Sequence, residues 1–181
     1  VARPDDESLS WLYRQEWSAL PDLHRTLVPA AASSNWIIVS DDESALASLG
    51  RAAGGIGFRC QSSSVDGLAP AIERHVRSDI GPVDALIVVA SDDQQAPYLP
   101  LSALQAVLKV PSARPRLWFV TRGAQYVADG APSRVLIGHA ALWGAGRVVA
   151  EEHPELWGGL VDLDPAVSWD DAATALVAHI R

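Results

Sequence analysis

Residues 36–53 read WIIVSDDESALASLGRAA: an apolar run of strand length, a short acidic turn and a stretch of helical period. The run Trp36–Val39 is continuous, which is typical of a parallel strand buried on both faces. Asp41 or Asp42 can cap the helix that follows. The apolar positions of that helix lie on one side: Ala45, Leu46, Leu49 and Ala53. The stretch therefore predicts a β-strand followed by an α-helix.

The same order recurs along the chain. Further apolar runs of strand length occupy residues 57–60, 85–90, 117–120 and 160–163, and segments with helical period separate them. Strands that alternate with helices indicate a mostly parallel sheet covered on both faces. The sequence therefore predicts a truncated Rossmann-like α/β fold with a mostly parallel sheet of about five strands and helices on both faces.

Each predicted helix has an apolar side that we expect to face the sheet. In the four segments after the first helix, these positions are Leu68, Ile72, Val76 and Ile80; Leu101, Leu104 and Leu108; Val135, Leu136, His139, Leu142, Trp143 and Val149; and Ala173, Leu176, Val177 and Ile180. Pro100 suits the first turn of the second segment. Ser168 and Asp171 resemble a capping box that opens the last helix. In residues 140–146, several alanines and glycines would allow another element to approach closely.

The first 34 residues do not fit this alternation. Trp11 to Trp17 is an isolated run of strand character, rich in aromatic residues, and a connector with two prolines follows it. We expect residues 1–34 to form an N-terminal linker and edge strand, and residues 35–181 to form the Rossmann-like subdomain. The edge strand is expected to tie the module to a partner.

Composition excludes several classes of protein. Twenty-two acidic residues against 14 basic ones give a formal net charge of −8, which repels nucleic-acid phosphates. No stretch reaches the ~18 apolar residues that cross a bilayer, and the N-terminus lacks a secretory signal. The single Cys60 forms no internal disulfide. We expect a cytoplasmic chain with no nucleic-acid or membrane partner.

The turn after the first strand argues against a bound dinucleotide. A Rossmann cofactor places its pyrophosphate on a glycine-rich turn at a helix N-terminus. Residues 40–43 are Ser-Asp-Asp-Glu, which offers carboxylates instead of glycine. The Tyr and Lys of short-chain reductases, four residues apart, are also missing: Gly130 follows Tyr126 at that spacing, and Lys109 is the only lysine.

Other catalytic or metal-binding patterns are equally weak. The five histidines are scattered, with no pair at metal spacing, and Cys60 lies in a predicted strand. His139 is interpreted as a satisfied core or interface histidine, and residues 151–155 as a solvated acidic turn. Asp162 and Asp164 lie near a strand end without supporting groups. We therefore predict no catalytic, cofactor-binding or metal-binding residue in this chain.

Three stretches resemble one family: LWFVTRGA at 117–124, AALWGAGRV at 140–148, and EHPELWGGLVDL at 152–163. They resemble the structural subdomain of ketoreductases in modular type I polyketide synthases, with a similar arrangement in the mycocerosic-acid-synthase type. LYRQEW at 12–17 resembles the opening strand of that subdomain.

The resemblance implies a non-catalytic half that stabilises a second, NADPH-binding half. That second half reduces β-ketoacyl groups on an acyl carrier protein within a multidomain enzyme, an acyltransferase and β-ketoacyl reductase. Expected partners are the catalytic subdomain and neighbouring enoyl reductase or dehydratase domains. The alternative is a self-sufficient NAD(P)-dependent short-chain oxidoreductase with a degenerate cofactor loop. A phosphate-binding or receiver-type module is disfavoured because suitable Lys and Ser/Thr partners are absent. The sequence leaves the acyl substrate and the oligomeric state open.

Overall fold

The computed structural model describes residues 35–53, 58–60, 82–125 and 136–180, together with the single positions 70, 73, 74 and 77. The strands are β1 (Trp36–Val39), β2 (Phe58–Cys60), β3 (Ala85–Val89), β4 (Arg116–Arg122) and β5 (Trp157–Leu163). The helices are α1 (Glu43–Ala52), α2 (Leu99–Leu108), α3 (Ile137–Glu152) and α4 (Trp169–Ile180), and a 3-10 turn, Ala96–Tyr98, leads into α2.

The five strands form one parallel sheet in the order β2-β1-β3-β4-β5. This confirms the predicted α/β fold. The edge strand expected at residues 11–17 and the helix positions Leu68, Ile72, Val76 and Ile80 lie outside the described residues. The chain adds β2 on one side of β1 and then adds β3 on the other side, so the direction of the strand order changes between β1 and β3. In sheets of this kind, the crevice that binds ligands is at the carboxyl ends of these two strands.

Alternate residues of β1, β3, β4 and β5 enter two separate cores. Ile37, Leu86 and Phe119 face α2 and α3, whereas Ile38 and Ile87 face α1 and α4. Because both faces are covered, the strands read as continuous apolar runs and not as alternating ones. One layer of helices, α2 and α3, covers one face of the sheet, and the other layer, α1 and α4, covers the opposite face.

Helix capping follows the sequence signals. Asp42 is the N-cap of α1 and accepts hydrogen bonds from the backbone N–H groups of Ser44 and Ala45. At the start of α4, the Ser168 hydroxyl accepts from the Asp171 N–H and donates to its carboxylate. The predicted capping residues are confirmed, with Asp42 and not Asp41 in the first case.

The predicted inner stripe of α2 is wrong at two of its three positions. Leu104 is buried, but Leu101 and Leu108 are exposed. The side that faces the sheet consists of smaller residues, namely Pro100, Ala103, Ala106 and Val107. Nearly every residue of this helix is apolar, so the leucine spacing alone could not identify the buried side.

A tryptophan of the neighbouring strand covers the two glycines near the start of β5. The ring of Trp118, and not that of Trp157, covers Gly158 and Gly159. A Cβ atom added at either glycine would come within 2.5 to 2.7 Å of the indole. Trp157 packs against Phe119 in the other core, with ring centroids 6.2 Å apart. A register shift between β4 and β5 at Leu117/Trp118 accompanies this arrangement.

Candidate functional site: the carboxyl edge of the sheet

The carboxyl end of β1 leads into the N-terminus of α1, where a dinucleotide phosphate would be expected in a cofactor-binding sheet. Asp42 occupies this position. Its Oδ1 accepts from the N–H groups of Ser44 (2.8 Å) and Ala45 (3.1 Å), and its Oδ2 accepts from the indole Nε1 of Trp169 (3.1 Å). The chain's own carboxylate thus satisfies donors that would otherwise bind an anion.

Trp169 also contacts Arg122, through the face of its ring. The Arg122 guanidinium lies 4.5 Å from the centroid of the Trp169 ring, a cation–π contact. Arg122 also donates to the backbone carbonyls of Asp164, Pro165 and Val167. These contacts fix the β5–α4 loop along the edge. We call the set Asp42, Trp169 and Arg122 the edge latch.

A second carboxylate fills the N-terminus of α3. Asp93, which follows β3, accepts at Oδ1 from the N–H groups of Gly138 (2.7 Å) and His139 (3.3 Å). A Cβ at Gly138 would lie 1.6 Å from the Asp93 carbonyl oxygen, so this contact requires glycine. The N-cap residue of α3 is Leu136, whose side chain cannot accept a hydrogen bond as Ser, Thr, Asp or Asn would. Asp93 supplies the cap from a distant loop.

A third carboxylate organises the ends of β4 and β5. The Trp143 indole donates to the buried Thr121 hydroxyl (3.0 Å), which donates to Asp162 Oδ1 (2.7 Å). Asp162 also accepts from the N–H groups of Ala124 and Gln125, both at 2.9 Å. Gly123 turns the chain towards Asp162 with a φ of 67°. Both the indole N–H and the hydroxyl O–H of this network therefore donate to groups within the network.

A dinucleotide phosphate would need the backbone N–H groups to which these three carboxylates are bonded. Within the described residues, carboxylates cap α1 and α3 and bind the turn after β4. A phosphate at any of these positions would displace a bonded carboxylate and meet negative charge. The described residues at this edge of the sheet therefore do not fit a dinucleotide pyrophosphate.

The remaining candidate residues are dispersed. His139 is buried, as expected, but the expectation that it is satisfied is wrong: neither ring nitrogen has a hydrogen-bond partner in the described structure. Lys109 is exposed on the turn after α2, while Tyr126, Gly130 and the Cys60 side chain lie outside the described residues. In the described part of the chain, no group of three or more His, Cys, Asp or Glu side chains could hold a metal ion.

The acidic turn after α3 is a surface turn. Glu151, Glu152 and Glu155 are exposed, and His153 lies 3.4 Å from Glu155. A backbone hydrogen bond, followed by contact with His153, lowers the pKa of Glu155 below its ordinary value. The turn has no partner groups that would make it a catalytic site among the described residues.

Sequence reasoning missed most of the residues that fill the edge. Asp162 is recognisable as a residue near a strand end, but its partners Thr121 and Trp143 come from another strand and from a helix. Trp169 reaches Asp42 from the start of the last helix, far along the chain. The usable signal is local: acidic residues lie at or just after the ends of β1, β3 and β5.

Fold and edge together define a Rossmann-like domain whose phosphate positions are filled by its own carboxylates. The chain belongs to the family described as the Rossmann fold domain of the polyketide synthase extender module SpnB, whose model matches residues 16–180. This membership confirms the resemblance seen in the sequence.

Relatives include a phenolphthiocerol/phthiocerol polyketide synthase of Mycobacterium tuberculosis, 32% identical over 175 residues, which are 87% of this chain and 10% of that protein. Polyketide synthase GfsA of Streptomyces halstedii is 35% identical over 179 residues, covering 87% of this chain and 2% of the relative. The chain therefore spans a small part of the curated relatives it matches.

Solved structures show the same fold. The first ketoreductase of the tylosin polyketide synthase superposes with a TM-score of 0.60 at 25% identity, covering 83% of this chain and 34% of the other. A C2-type ketoreductase from a modular polyketide synthase gives 0.64 at 26% identity, covering 83% and 37%. Among the described residues, no helix is both long and apolar enough to cross a membrane.

Proposed function

We propose that this chain is the non-catalytic structural subdomain of a polyketide synthase ketoreductase. It stabilises a catalytic, NADPH-dependent half that reduces β-ketoacyl groups on acyl carrier protein, and it spaces neighbouring enoyl reductase or dehydratase domains. The observation that carries this proposal is the carboxyl edge, where Asp42, Asp93 and Asp162 occupy the backbone donors.

The edge latch supports the non-catalytic assignment. The indole N–H of Trp169 bonds to the Asp42 carboxylate, and the face of the same ring contacts the Arg122 guanidinium, so Trp169 links the N-cap of α1 to the end of β4. A cofactor would have to break a cation–π contact and two kinds of hydrogen bond before reaching the helix N-terminus. Binding energy spent in this way would weaken its affinity.

The sequence supports the same conclusion independently. No tyrosine precedes Lys109 by four residues, so the proton donor and its ammonium partner are missing. The oxidoreductase alternative would need another proton donor. The chain accounts for 34–37% of the solved ketoreductases it resembles, which leaves room in them for a second subdomain. We place NADPH, the parent activity and a cytoplasmic setting with that larger enzyme.

Two measurements test the proposal. Calorimetric titration of the isolated chain with NADPH is expected to give no binding heat, whereas a catalytic ketoreductase subdomain from the parent synthase serves as the positive control. Co-expression of that catalytic subdomain with this chain should raise its melting temperature and its reductase activity. Micromolar NADPH affinity of this chain alone would favour the oxidoreductase alternative, and an unchanged catalytic half would refute the stabilising role.

A further inference from the structure

We draw no further inference here: the strongest candidate, the buried imidazole of His139 near the N-terminus of α3, has two ring nitrogens without a hydrogen-bond partner in the described structure, but nothing in that part of the chain shows what would bind them.

Discussion

The two helical layers are built on the same sheet but close in different ways. On the α1–α4 side, Arg51 pairs with Asp170, and Trp169 bonds to Asp42, so polar contacts join one helix to the other along the outer surface. On the α2–α3 side, Trp143 bonds to Thr121 beneath the helices, and five large apolar side chains are exposed on the outer surface: Tyr98, Leu101, Leu108, Ile137 and Val148.

The two layers are alike in how they pack against the sheet and differ in the composition of their outer surfaces. Both layers bury a core of apolar side chains against the sheet. In the described structure, an ion pair joins the two helices of the α1–α4 layer at the surface. The α2–α3 layer exposes large apolar side chains beside its charged residues Arg147, Glu151 and Glu152. Packing thus specifies the fold on both sides, while the outer surface of each layer specifies what it can contact.

The largest expected effect concerns the anchor of the α2–α3 layer. Trp143 is buried, and its indole bonds to Thr121. Trp143→Ala should lower the free energy of unfolding by ~3–5 kcal/mol, because it removes a large side chain from a packed core. Trp143→Phe keeps most of the packing and should lose about 1 kcal/mol for the hydrogen bond. Urea denaturation followed by circular dichroism measures both.

If Trp143→Ala unfolded no more easily than Trp169→Ala, the comparison would fail, because Trp169 is only partly buried and anchors the other layer.

Two glycines of α3 should respond in opposite directions. Gly138→Ala places a Cβ against the Asp93 backbone and should destabilise the chain by ~3 kcal/mol, as overpacked sites do. Gly144→Ala enters open space and should stabilise the isolated chain by ~0.5–1 kcal/mol through helix propensity. Thermal melts of the two variants give the signs. Destabilisation by Gly144→Ala would mean that the fold requires glycine at this position.

Much of the fold was predictable because buried parallel strands appear in the sequence as short, continuous apolar runs. The bounds of β1 agree with the prediction, and β3 differs by one residue. The start of β5 was missed because Gly158 and Gly159 weaken the strand pattern, and only the ring of Trp118 explains why they are there. Local signals cannot reveal such a contact between neighbouring strands.

The candidate site was predictable only in part. The glycine-free turn at Asp42 was sufficient to disfavour a dinucleotide, since it is local in sequence. That Trp169 completes the same position could not be read, because the two residues are 127 positions apart. The orientation of α2 failed for another reason: both of its sides are apolar, and which side is buried depends on the fit of small residues to the sheet.

The N-cap of α1 is tested by comparing substitutions at Asp42 and at its neighbour Asp41. Asp42→Ala removes the acceptor for two backbone N–H groups and for Trp169, whereas Asp41 is exposed on the turn. Loss of a cap costs ~1 kcal/mol, which lowers the melting temperature of a domain of this size by about 2–4 °C. Asp41→Ala should leave it unchanged. Equal effects of the two variants would contradict the assignment of Asp42 as the N-cap.

The smallest expected effect comes from the ion pair that closes the α1–α4 layer. Hydrogen bonding from Ser48, followed by that from Arg51, lowers the pKa of Asp170 below its ordinary value. A lowered folded-state pKa means that the carboxylate stabilises the fold at neutral pH, and that this contribution is lost as pH falls through the folded-state pKa. Asp170→Asn should therefore reduce stability slightly at pH 7 and not at all in acid. Because both side chains are largely exposed, added salt should shrink the difference. A double-mutant cycle with Arg51→Gln measures the coupling, and zero coupling at low salt would show that the layer is closed by packing alone.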